Sequence, residues 1–178
     1  SGFIYALSVA DQFIKTGMYN NVLVVGAEIQ STALDISTRG RNTAVIFGDG
    51  AGAVVLQPAN SPGILSTHLH SDGHFAEELY VKDPGSSRPH NERQPDQILD
   101  TSTYKVVMNG NQVFKHAVVR FMEVINEALR ANNLQRTDIN LLVPHQANLR
   151  ISQYIQEKLE LSNDQVYNNI MRYGNTTA

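Results

Sequence analysis

The sequence predicts an α/β protein, and three patterns carry that prediction. Phe3, Ala6, Leu7, Ala10 and Ile14 fall on one helical face, and the all-apolar run Val22-Leu23-Val24-Val25 follows at strand length. Thr43 to Phe47 and Ala51 to Leu56 read as two strands joined by the glycine-rich turn Gly48-Asp49-Gly50. A long amphipathic stretch from Val113 to Leu129 gives way to the apolar run Ile139 to Val143 and then to a second helical pattern.

Each element has a local cause. The first helix closes at Gly17, a residue suited to the left-handed backbone of a C-terminal cap. Val22 to Val25 has no polar alternation and therefore reads as a strand covered on both faces. A further strand is expected near Ile64 to Leu69. Between Lys82 and Thr103 prolines, Gly85, serines and mixed charges break every period, so a connecting loop over 82–103 divides the chain into parts spanning 1–81 and 104–178. Val113, Phe114, Ala117, Val118, Phe121, Ile125, Ala128 and Leu129 then trace one face of a helix that ends at Asn132-Asn133. Ile139 to Val143 reads as a buried strand stopped by Pro144, which cannot donate to a sheet ladder. Ile151, Ile155 and Leu159 recur at helical spacing behind Asn148, a good N-cap residue.

Composition narrows the function classes. With 178 residues, 42% hydrophobic and 17% charged, the chain can bury a sizeable core as a soluble globular protein. No apolar run is long enough to span a bilayer, and no signal peptide pattern opens the sequence. A net charge of −3 argues against bulk attraction to nucleic acid or an anionic membrane surface. The absence of cysteine excludes a disulfide scaffold.

The run from Leu142 to Arg150 concentrates chemistry, because it puts an imidazole, two amides and a guanidinium where a strand stops and a helix starts. Ligands of α/β proteins bind at such carboxyl edges. His145 is held there at a rigid corner, in a position that suits a structural histidine as well as a chemical one. The first helix aims its positive end at whatever precedes it, and a thiol placed there would have a lowered pKa. Ser1 has no Gly-x-Ser-x-Gly elbow around it and reads as a cap rather than a nucleophile. Lys115, Arg150 and Lys158 can form a basic patch suited to a phosphate or an acidic protein surface, or can stand as solvated charges. Two other motifs carry less. Gly48 to Gly52 lacks full dinucleotide-loop spacing and leads into a strand, and His68, His70, Asp72 and His74 lack the further well-spaced ligand that a metal site needs.

Five stretches in the same order resemble the motifs of one family. They are Ser1-Gly2-Phe3-Ile4-Tyr5-Ala6-Leu7, Ile46 to Ala53, Met108 to Lys115, the His145 run, and Gly174-Asn175-Thr176-Thr177-Ala178. Together they resemble β-ketoacyl-acyl carrier protein synthase III, a condensing enzyme that starts fatty-acid synthesis, and the likeness weakens only around 82–103. The resemblance implies a thiolase-like five-layered αβαβα fold, with 1–81 from the end of its first half and 104–178 from the start of its second. It also implies a nucleophilic cysteine immediately before Ser1, so that these residues are the central part of a longer enzyme and inactive alone.

By the same resemblance, His145 and Asn175 face one cavity at the amino end of the first helix and donate to a thioester oxygen during decarboxylative condensation. Arg39 would meet the nucleotide end of coenzyme A, Asn148 and Gly110 its pantetheine arm, and Phe47 and Phe114 the acyl chain. Lys115, Arg150 and Lys158 would meet acyl carrier protein. No resident cofactor or metal is implied, the coenzyme A thioester being a substrate; a cytoplasmic homodimer is. Two alternatives stay open: a related Cys-His-Asn condensing enzyme making a polyketide or signalling precursor, and a non-catalytic thiolase-fold binding module.

Overall fold

The structure, a computed structural model, describes residues 2–61, 63–81 and 105–177. The expected loop over 82–103, and the reading of Ser1 as a cap, lie outside the described residues. In chain order the elements are α1 (Gly2–Lys15), β1 (Val22–Glu28), α2 (Arg41–Ala44), β2 (Gly50–Leu56), β3 (Leu79–Val81), β4 (Val106–Met108), α3 (Gly110–Ala131), α4 (Leu149–Leu159) and α5 (Ile170–Tyr173).

α1 ends as its sequence predicts. Gly17 takes φ +72°, and the Gly17 and Met18 amides donate to Ile14 and Phe13 carbonyls at 3.0 Å each, closing the last turn with reversed bonds. α1 packs on the antiparallel pair β1–β2, whose register runs from Val22 opposite Leu56 to Glu28 opposite Gly50. β1 is not covered on both faces as expected. Val24 is buried while Leu23 and Val25 are exposed, because one face meets α1 and β2 lies alongside rather than above.

Three expected strands are absent in regular form. Thr43 and Ala44 belong to α2, and the hairpin across Gly48 does not form, because Phe47 pairs in parallel with Asn175 instead of with β2. Residues 64–69 make no ladder, and their side chains bond elsewhere: Ser66 accepts from Asn132 Nδ2 at 2.7 Å, and Thr67 meets the Ser8 hydroxyl at 3.1 Å. Of Ile139 to Val143, only Leu142 bridges, in parallel with Val166, through bonds of 2.7 Å to the Gln165 carbonyl and 2.9 Å from the Tyr167 amide. Two ladder bonds were enough to bring this run beside Val166, but not to extend it into a sheet. β3 and β4, which pair antiparallel with Val81 opposite Val106, carry too few residues to show a period.

The principal core lies between α3 and α4. Ile151, Ile155 and Leu159 are buried on one face of α4, and Phe114, Ala117, Val118, Phe121, Met122 and Ile125 of α3 pack against them. α4 thus buries the face that its spacing predicts, and α3 turns its predicted face toward it, half-buried. No described helix is long and apolar enough to cross a membrane.

Ile155, at 0% exposure, is the most completely enclosed side chain of that core. Ile155→Ala is expected to destabilise the protein by about 2–5 kcal/mol in denaturant unfolding, while the exposed Gln153→Ala stays within about 0.5 kcal/mol. Equal small losses at both positions would contradict this packing.

Candidate functional site

Asn175 is placed by backbone before its side chain matters. Its amide donates to the Ile46 carbonyl at 2.8 Å, and its carbonyl accepts from the Gly48 amide at 3.0 Å. This bridge demands glycine on both sides. A Cβ at Gly48 would lie 2.2 Å from the Tyr173 carbonyl oxygen, and Gly174 adopts φ +68° with its Cβ direction 2.9 Å from the Ile46 carbonyl. The two glycines therefore let two backbones approach as no other residue would allow.

The Asn175 carboxamide is oriented as well as buried. The residue is 6% exposed, and its Oδ1 accepts from the Thr177 amide at 2.9 Å. An N–H can donate only to the oxygen, which settles which way the carboxamide faces. The Nδ2 group has no acceptor among the described residues, so a buried donor stands there without a partner among them. Thr177 holds φ +67°, a backbone that β-branched residues avoid, and its hydroxyl accepts from Gln30 Nε2 at 2.9 Å. Strain of that kind persists only where the surroundings over-determine it, and it clusters at working sites. Gln30 is in turn fixed by Asp49, whose carboxylate accepts from the Gln30 and Ser31 amides at 2.7 and 2.8 Å and from the Ser31 hydroxyl at 2.7 Å. Those bonds, the Ser31 hydroxyl first, hold the Asp49 carboxyl below its ordinary pKa.

His145 stands on the segment between Leu142 and α4. Pro144 before it is buried, and the His145 carbonyl accepts from the Ala147 amide at 2.9 Å. Asn148 caps α4 as expected, its Oδ1 accepting from the Arg150 amide at 2.9 Å. His145 keeps an exposed surface, and among the described residues neither ring nitrogen has a hydrogen-bond partner. Enough protein surrounds the ring for desolvation to push its pKa below 6.5. The surface exposure keeps that shift from being the one expected of a fully enclosed imidazole. At neutral pH the ring is therefore uncharged and offers one N–H donor.

Gln146 joins this segment to the one that leads into Asn175. Its Nε2 donates to the Pro144 and Tyr167 carbonyls at 3.0 and 3.1 Å, and its Oε1 accepts from the Asn169 and Ile170 amides at 2.8 and 3.1 Å. Sequence reading missed Gln146, Gln30, Asp49 and Thr177. Their work is done by long-range hydrogen bonds, which leave no period.

The other expected site residues lie on several elements. Phe47 is the pairing partner of Asn175, and Gly110 opens α3. Phe114 packs against the α4 core cluster. Arg39 is exposed and donates to Asp35 at 2.8 Å; Asp35 is lowered to about 2 by the Ser37 hydroxyl, then by Arg39. Lys115, Arg150 and Lys158 are all exposed, with Lys158 lying 5.5 Å from the centre of the Tyr154 ring. His68 and His70 share Glu127, at 3.1 and 2.6 Å, and His74 meets Asp72 at 2.9 Å.

This arrangement has the thiolase-like α/β fold of the condensing enzymes. The structure of 3-oxoacyl-[acyl-carrier-protein] synthase III from Aquifex aeolicus VF5 superposes on it with a TM-score of 0.85 at 39% identity, covering 100% of this chain and 51% of that one. The model of 3-oxoacyl-[acyl-carrier-protein (ACP)] synthase III matches residues 1–73, and that of its C-terminal part matches residues 129–178. The chain belongs to this family. It is 48% identical over 178 residues to the β-ketoacyl-[acyl-carrier-protein] synthase III of Yersinia pestis strain Pestoides F, and 44% to that of Methylococcus capsulatus. All of this chain is matched in both cases, but only 52% of each relative, so the chain spans about half the length of the curated relatives it matches.

Because desolvation disfavours the imidazolium, the His145 ring proton should titrate by NMR with a midpoint below 6.5. A depressed pKa contributes stability that is complete above 6.5 and is lost as pH falls through the folded value. A midpoint at or above 6.5 would show that the ring is not desolvated.

Proposed function

We propose that the protein carrying this chain is a β-ketoacyl-acyl carrier protein synthase III, which joins an acyl group from acyl-coenzyme A to malonyl-acyl carrier protein. The observation that carries this reading is the buried Asn175 carboxamide, with its oxygen bonded to the Thr177 amide and its Nδ2 without an acceptor among the described residues. Together with the neutral N–H of His145, it supplies two donors for one thioester oxygen.

The chemistry follows from those two donors. A thiolate attacks the acyl thioester and expels coenzyme A, leaving the acyl group on sulfur. The carbon–carboxylate bond of the malonyl group then breaks, carbon dioxide leaves, and its electron pair moves into an enolate whose oxygen carries the charge. Donors preorganised at that oxygen act most strongly where the charge develops. The enolate carbon attacks the acyl carbonyl, and the thiolate is released. No cysteine occurs among these 178 residues, so the reading requires the thiol to come from outside them.

The remaining assignments rest on the resemblance and belong to the same proposal. Arg39 meets the nucleotide of coenzyme A once it is drawn from Asp35, Asn148 and Gly110 meet the pantetheine arm, and Phe47 and Phe114 bound the acyl chain. The exposed Lys115, Arg150 and Lys158 receive the acidic carrier protein. The reading needs no resident cofactor and describes a cytoplasmic homodimer.

Measuring the two half-reactions separately in the full-length protein tests the proposal. His145→Ala should leave acyl transfer to the thiol largely intact while slowing malonyl decarboxylation about 10²- to 10³-fold, as for a lost oxyanion donor. A histidine acting as general base would instead give acylation that collapses at neutral pH and recovers toward the ordinary thiol pKa of about 8.5. Such recovery would overturn the assignment.

A further inference from the structure

We infer that Gln146 is the positioning residue that aims the His145 imidazole at the oxygen already faced by Asn175. The inference rests on the site reading above, and it concerns a side chain that touches no substrate in that reading.

All four hydrogen-bonding positions of the Gln146 carboxamide are used, and all go to backbone. The two donors hold Pro144, the residue immediately before His145, and Tyr167 across the gap. The oxygen takes the Asn169 and Ile170 amides, which are free at the start of α5; Asn169 there offers no side-chain cap. Gln146 thus caps a helix from another segment, and in doing so pins the His145 corner to it. No shorter side chain spans both: the carboxamide must lie between the two backbones while presenting its oxygen to one and its nitrogen to both.

The geometry also says which partner is being positioned. Asn175 is fixed independently, by the Ile46 and Gly48 backbone and by Thr177. Among the described residues His145 has no such ties: its ring nitrogens have no partner there, and its carbonyl bonds within its own turn, to the Ala147 amide. The ladder at Leu142 and Val166 fixes the segment three residues earlier, and the Asn148 cap fixes it three residues later. Between those anchors, the only side chain tying the corner to the α5 segment among the described residues is that of Gln146. α5 then leads through Gly174, whose amide donates to Ile170 at 2.8 Å, directly into Asn175. Gln146 therefore refers the histidine corner to the frame that already holds the asparagine.

A double-mutant cycle in the full-length enzyme tests this. Gln146→Ala should lower kcat for malonyl decarboxylation about 10- to 100-fold, the scale of a catalytic group misplaced by about 1 Å, with KM and the acylation half-reaction little changed. In a His145→Ala background the same substitution should cost less than about 3-fold, because no ring remains to be aimed. Should Gln146→Ala fail to fold, Gln146→Glu keeps the acceptor for Asn169 and Ile170 but loses both donors, and it should show the same selective, non-additive loss. Additive losses, or equal losses in both half-reactions, overturn the inference while leaving the site reading standing. Normal decarboxylation by His145→Ala overturns the site reading, and this inference with it.

Discussion

The site depends on a two-bond backbone pairing in which Asn175 lies between Ile46 and Gly48. This joins the part of the chain that follows α1 and β1 and leads into β2 to the last described segment. Asn175 gains its position from the pairing itself, and Gly48 and Gly174 are required because the backbones come closer than a Cβ would permit. Gln30, Asp49 and Thr177 then form a hydrogen-bonded chain that ends on the Asn175 carboxamide, and Gln146 ties the His145 segment to the one that leads into Asn175.

The division of labour between packing and polar contacts is clear in the burial. α3 and α4 supply an apolar seam around Ile155, which stabilises the molecule through packing. The loops at the ends of those elements are held instead by side-chain amides and carboxylates bonded to backbone. Such bonds contribute modestly to stability, about 1 kcal/mol each, but their directionality fixes where a donor points. A site that stabilises developing charge gains from that rigidity, since its donors need no reorganisation when the charge appears.

Helices were the legible part of the fold, and short strands the illegible part. α1, α3 and α4 each carry an apolar stripe long enough to show its period, and Gly17, Asn132 and Asn148 mark their ends by local chemistry. Ile139 to Val143 and Thr43 to Phe47 looked like strands because they are apolar, yet each is held by one isolated bridge to a residue far along the chain. Nothing local records such a partner. The same limit governed the site. His145 and Asn175 stood out through their motifs, and Asn148 through its cap position. Gln146 was read as one more polar residue in a run, although its four bonds join the His145 segment to the one that leads into Asn175.

The central claim is that one substrate oxygen is held jointly by His145 and Asn175 Nδ2. A crystal structure of the full-length protein with a non-hydrolysable malonyl thioester analogue measures this directly. The account predicts that a ring nitrogen of His145 and Nδ2 of Asn175 both lie about 2.7–3.1 Å from the thioester oxygen. An analogue seated in the site with its oxygen bonded to neither side chain, or with the two side chains facing separate surfaces, would contradict it.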